Sequence, residues 1–190
     1  SDINGCQIKS KNFFKPFAEP EISFVLKKDI NINEAPFNLK DADKLFDKML
    51  PSIELVDFRF GDKIKDIGIN NLVATNGANE YWVKSDKNFQ LNEINLNNLS
   101  VKLYVNNKLI EEGNTNNVLG NPINSGIWLI NRLSEIGEPM LKGQFITTGS
   151  CTKAIPFIPN TNIVADFGLL GKVEINYNWT IYFYMKPKVY

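Results

Sequence analysis

Two glutamates stand one residue apart in FAEPEISFVL, residues 17–26, a run that otherwise has the composition of a buried strand. In extended backbone successive side chains leave on opposite faces. Phe17, Glu19, Glu21, Ser23 and Val25 therefore share one face, and Ala18, Pro20, Ile22, Phe24 and Leu26 share the other. The apolar set points inward. The two carboxylates then sit with Cα atoms roughly 6.5–7 Å apart, close enough to repel unless water or a cation lies between them. Two readings are open at this point: a solvated edge strand whose charges prevent association, or a face that holds something positive. Pro20 cannot donate to a ladder and argues for an edge or a bulge. Glu54, in PSIELVDF, adds a third carboxylate flanked by Ile53, Leu55 and Val56, where burial without a partner would be costly. Three hard oxygen donors without nitrogen or sulfur suit Mg²⁺, Mn²⁺ or Ca²⁺ and do not suit zinc. An octahedral Mg²⁺ on three such ligands would keep about three positions for water and a chelating ligand.

Hydrophobic periodicity supplies the elements that must hold these residues. Asn38 is a candidate N-cap with Asp41 three residues on. Leu39, Ala42, Leu45, Phe46, Met49 and Leu50 then repeat at helical spacing, which predicts an amphipathic helix ended by Pro51. SIELVDF reads as a short strand with Ile53, Leu55 and Asp57 on one face and Ser52, Glu54, Val56 and Phe58 on the other. NNLVATNGANEYWV is expected to be a loop leading into a strand, and LSVKLYVNNKLIEEG a hairpin that turns at Asn106–Asn107. NPINSGIWLINRLSEIGEP predicts a helix capped by Asn121, with Pro122 at its first position and Gly137 just past its end. QFITTGS, KAIPFIP, NIVADFG, GKVEINY and TIYFYMK follow as short strands. Two main helices among many strands, with no β-α-β alternation, predict a mainly β (α+β) fold, a rolled or closed mixed sheet.

Composition bounds the chemistry. The 190 residues are 43% hydrophobic and 12% aromatic, enough for one well-filled domain over 1–190. Lys plus Arg and Asp plus Glu balance at 21 each, so no basic field points to nucleic acid or to a membrane surface. The chain has no histidine, which excludes Ser-His-Asp and Cys-His triads and His-ligated zinc built from this chain alone. Cys6 and Cys151 are too few and too far apart for a disulfide framework. No apolar run approaches the ~18 residues a membrane span needs, and a cytoplasmic, reducing setting is expected. The first residues, SDINGCQIKS, lack an initiator methionine, so an N-terminal segment is expected to be missing.

FAEPEISFVL, PSIELVDFR, LVATN, NNKLIEEG, VLGNPINSGIWL, GEPMLKGQFITTGS and VADFGLLGKVEI occur in that order. The ordered set resembles the 2-keto-4-pentenoate hydratase branch of the fumarylacetoacetate hydrolase superfamily, from about Phe17 to Tyr177. The resemblance implies a β-roll like that superfamily's C-terminal domain, with Mg²⁺ or Mn²⁺ on Glu19, Glu21 and Glu54. The ion would act as a Lewis acid toward a 2-oxo acid that chelates it through carboxylate and keto oxygens. It also implies a hydratase of 2-hydroxydienoates, of the 2-oxopent-4-enoate type, giving 4-hydroxy-2-oxo acids in the breakdown of aromatic compounds. A homo-oligomer and a complex with a related decarboxylase are further expectations.

Asn76, Asn121, Thr148 and Gly149 fall on motifs that line the family's pocket. The plain alternatives are an ordinary tight turn for Thr148–Gly149 and a simple N-cap for Asn121. The chain departs from the family pattern, which has Asp where Thr75 stands, His where Asn121 stands, and an upstream segment carrying a lysine and an aspartate as acid and base. Lys153 is the local candidate for a base, against the alternative of a solvated loop lysine. Cys151 reads as a small buried hydrophobe. The same site would serve decarboxylation or C–C hydrolysis of a 2-oxo acid, and a non-catalytic partner subunit is a third reading.

Overall fold

A computed structural model describes residues 2–3, 5–9, 13–60 and 68–178. The strand expected at TIYFYMK lies outside them. The strands are β1 (Asp2–Ile3), β2 (Cys6–Lys9), β3 (Pro16–Leu26), β4 (Phe46–Asp57), β5 (Asn79–Lys84), β6 (Ser100–Val105), β7 (Lys108–Asn114), β8 (Phe145–Ser150), β9 (Ile155–Pro156), β10 (Thr161–Asp166) and β11 (Lys172–Asn178). Among the described residues the α-helices are α1 (Ala42–Leu45), α2 (Ile69–Ala74) and α3 (Pro122–Glu135). One sheet runs β1-β5-β4-β3-β8, with β9 also on β3, and the other runs β2-β11-β10-β6-β7. Pairing is antiparallel except for β1 on β5 and β2 on β11, so the sheets are mixed, as the sequence predicts.

Period-two burial fills the space between the sheets. Ile22, Phe24, Ile53, Leu55 and Val83 from one sheet pack with Val101, Leu103, Ile163, Ala165, Val173 and Ile175 from the other. Helix α3 closes one side of this core. Asn121 caps it by accepting from the Ile123 N–H at 2.9 Å. Past its end the Glu138 N–H returns to the Leu133 carbonyl at 2.9 Å, with Gly137 at φ 78° making the left-handed turn. A Cβ on Gly126 would meet Phe46 Cζ at 2.9 Å, and that ring stacks on Phe24 at 4.6 Å. Gly126→Val is therefore expected to lower stability by about 2 kcal/mol, because overpacking a close contact outweighs glycine's low helix propensity. The midpoint of urea denaturation checks it, and an unchanged midpoint would show that the rings yield.

Three sequence expectations are corrected. The helix expected from Leu39 to Leu50 is one 3₁₀ turn, Leu39–Asp41, capped by Asn38, then the four residues of α1; at Phe46 the chain becomes strand. Phe46, Met49 and Leu50 are buried because β4 is covered on both faces, a pattern that mimics helical spacing over a short window. Long antiparallel pairing, from Leu26 with Phe46 to Pro16 with Asp57, decides for strand. Pro51 does not stop it. Its carbonyl accepts from Ser85 N at 2.9 Å, so its missing N–H faces the point where β5 has ended.

The second correction concerns β3, which is not an edge: β4 flanks it on one side, β8 and β9 on the other. Pro20's carbonyl accepts from Cys151 N at 2.8 Å, which places its missing N–H in the interval between β8 and β9. The third is the expected loop at NNLVATNGANEYWV, which contains α2 before β5 begins. The hairpin at Asn106–Asn107 forms as expected, both residues having positive φ (49° and 64°).

Candidate metal centre

β3 and β4 carry the three glutamates face to face. Glu19 pairs directly with Glu54 across the ladder and Glu21 pairs with Ser52, so all three side chains leave the same face, opposite the inter-sheet core. One carboxylate oxygen from each lies within 4.8 Å of the others. This face is largely withdrawn from solvent: Glu21 is only 1% exposed, while Glu19 and Glu54 are half-buried. Among the described residues no ion pair reaches any of the three. Arg59 is engaged by Asp57 and Glu80, and Arg132 by Glu135.

Like charges in a dry place hold on to protons. Burial, and then the charge of Glu54, push the Glu19 carboxyl up to about 7. Glu21 is raised well above the usual carboxylate range, first by burial and then by Glu54, against the lowering effect of the Gly149 N–H. That N–H donates to Glu21 Oε2 at 3.0 Å, and Asn79 Nδ2 donates to Glu54 Oε1 at 2.6 Å. The donors orient the carboxylates without neutralising them. A hard divalent cation would do so, and three oxygens at this spacing match the donor set such an ion takes. Ser150, opposite Glu21 on β8, carries a buried Oγ with no hydrogen-bond partner among the described residues, a further group that a ligand here would satisfy.

The other sequence candidates divide. Gly149 joins the site through its backbone. The pairing of β3 with β8 shifts between Glu21 and Ser23, giving β8 one extra residue, and Gly149 at φ 104° makes that bulge possible. Thr148 does not turn toward the glutamates: its hydroxyl donates to the Ile22 carbonyl at 2.7 Å, and its own carbonyl accepts from Ser125. Asn76 is exposed, in the turn between α2 and β5. The Asn121 side chain is used in capping α3 and in donating to Asn97 Oδ1 at 2.9 Å. Lys153 is exposed. Cys151 is a free, fully buried thiol, pushed up to about 12 by burial and then by Glu21.

Sequence reasoning missed Asn79, Trp82 and Ser150. Trp82 pairs with Glu54 on the glutamate face, and its indole N–H donates to Ser23 Oγ at 3.2 Å. Ser23 and Ser52 hydroxyls, 2.8 Å apart, form a buried polar layer beside Glu21, whose carbonyl accepts from Ser52 at 3.3 Å.

No family model matches the chain. Over 179 residues it is 28% identical to a 4-oxalocrotonate decarboxylase from Pseudomonas putida, which covers 92% of this chain and 64% of that protein. Over 164 residues it is 27% identical to a 2-keto-4-pentenoate hydratase from Paraburkholderia phymatum, covering 86% of this chain and 61% of the relative. The solved structure of the 4-oxalocrotonate decarboxylase from Pseudomonas putida G7, complexed with magnesium and adipate, superposes with a TM-score of 0.84 at 29% identity, over 94% of this chain and 66% of that one. The chain resembles the 2-keto-4-pentenoate hydratases and 4-oxalocrotonate decarboxylases of the fumarylacetoacetate hydrolase superfamily. It spans under two thirds of the length of these superfamily relatives. No helix among the described residues is long and apolar enough to cross a membrane.

Proposed function

We propose that this chain is the metal-binding part of a lyase acting on 2-oxo acids or their dienol forms, with Mg²⁺ or Mn²⁺ held by Glu19, Glu21 and Glu54. The observation that carries the reading is the set of three carboxylate oxygens within 4.8 Å on a largely buried face, with no cationic partner among the described residues. A bound ion would polarise the keto oxygen of a chelating 2-oxo acid. Gly149 N–H and Asn79 hold two of the ligands in place, and the Ser150 hydroxyl is free to donate to a ligand oxygen.

Hydration of 2-hydroxypenta-2,4-dienoate is the reaction we assign first. Decarboxylation is the second reading, favoured by the similarity to 4-oxalocrotonate decarboxylase. Ultraviolet loss of the dienol with formation of the hydroxy acid, against carbon dioxide release from 4-oxalocrotonate, separates them. Absence of both reactions in the full-length protein would exclude catalysis of either kind. Lys153→Ala is expected to change the rate less than about twofold, since an exposed loop lysine contributes little to a buried site. Oxalate is expected to bind only when Mg²⁺ or Mn²⁺ is present. Equal affinity in EDTA, measured by calorimetry, would contradict the metal-chelating role.

A further inference from the structure

We propose that Trp82 and Phe145 form the wall along which the carbon chain of a metal-held 2-oxo acid lies, so that this site selects acids bearing an apolar chain. The inference rests on the reading of the glutamates as a metal centre. It is carried by how the two ends of the glutamate face differ. At one end Phe17, two residues before Glu19, packs edge-on against Phe58 at 5.2 Å and joins buried Val56 and Ala78, so that end is filled. At the other end Trp82 and Phe145 meet with ring centroids 4.8 Å apart, and Phe145 is 42% exposed. A ligand held at the glutamates therefore meets buried, packed side chains toward Phe17 and an exposed aromatic surface toward Phe145.

Trp82 is suited to that role by how it is fixed. It stands directly opposite Glu54, with Cβ atoms about 4.5–5.5 Å apart for such a pair. To reach Ser23 on β3 from β5, its indole must lie across β4. The N–H is thereby committed, Ser23 and Ser52 are sealed beneath at 0% exposure, and the ring presents an apolar surface beside the carboxylates. A pinned aromatic ring loses little freedom when a chain packs on it, which favours flat or conjugated chains.

Mn²⁺-loaded protein would be titrated with oxalate, which has no chain, and with 2-oxohexanoate. Trp82→Ala is expected to weaken 2-oxohexanoate about tenfold and oxalate less than about twofold; Phe145→Ala, which leaves the Trp82–Ser23 hydrogen bond in place, about threefold and less than about twofold. Trp82→Phe, which keeps an aromatic ring but loses the bond to Ser23, should fall between wild type and Trp82→Ala for 2-oxohexanoate and stay near wild type for oxalate. Parallel losses of the two ligands, or no loss of 2-oxohexanoate in Phe145→Ala and Trp82→Ala alike, would overturn the wall. Mn²⁺ affinity measured without either acid isolates the parent reading: wild-type protein that takes up no Mn²⁺ ends both proposals, whereas normal uptake with unselective variants ends only this one.

Discussion

Glu21→Gln is expected to weaken Mg²⁺ or Mn²⁺ binding at least about a hundredfold while making the metal-free protein more stable at pH 8. The two effects share one cause. Glu21 is 1% exposed and faces two other carboxylates, so in the absence of metal its charge is a liability. Glutamine has nearly the same shape, and its amide oxygen can still accept from Gly149 N–H, so the bulge should survive the change. What it cannot supply is a negative charge to a cation. Calorimetric titration and urea denaturation of the same sample measure both effects. Unchanged affinity would remove Glu21 from the ligand set, and a large loss of stability would mean that the side chain is held by contacts the charge argument ignores.

The second large effect is a dependence of stability on pH that is much reduced when metal is added. The Glu19 carboxyl is raised from 4.5 to about 7 in the folded chain, so between those values the folded state binds more protons than the unfolded one. The stability this contributes is fully present below about 4.5 and is lost as pH rises through about 7. About 2.5 pH units at ~1.4 kcal/mol each makes the loss on the order of 3 kcal/mol from Glu19 alone. Glu21 is raised too and acts with the same sign. Glu34, lowered by its hydrogen bond from Lys28, and Asp41, lowered by the Asn38 N–H, have the opposite sign; their contribution is lost only as pH falls through their lowered values. Above pH 5 the glutamate cluster should dominate. In EDTA the melting temperature should therefore fall from pH 5 to pH 8. At pH 8 a hundredfold excess of Mn²⁺ over its dissociation constant should return about 2.7 kcal/mol, and at pH 5, where protons hold the sites, much less. A melting temperature that rises from pH 5 to pH 8 in EDTA would contradict the burial of these charges.

The strand faces were legible in the sequence because period two is strict where pairing is regular. Along β3 and at Glu54 it assigns each residue to the face where the structure has it. The partners were not legible, because both neighbouring strands break the period. The register of β4 with β5 shifts between Leu55 and Val56, so Asn79, not Glu80, joins Trp82 on the glutamate face. The extra residue in β8 likewise presents the Gly149 N–H to Glu21 and turns the Thr148 hydroxyl toward the Ile22 carbonyl. A bulge leaves little trace in one sequence, since any residue can be the added one and glycine has many other uses. The failed helix at 38–50 has a related origin. Its apolar residues are buried on both sides of β4, and that lateral covering is a property of distant strands.

Because the carboxylates leave β3 and β4 on the side away from the second sheet, each of these strands carries two messages interleaved residue by residue. Ala18, Ile22, Ile53 and Leu55 are read by the core, and Glu19, Glu21, Ser52 and Glu54 by whatever occupies the outer face. Evolution can therefore rewrite one message with little interference from the other. On such a scaffold new chemistry can arise by exchanging alternate letters while the fold is inherited unchanged.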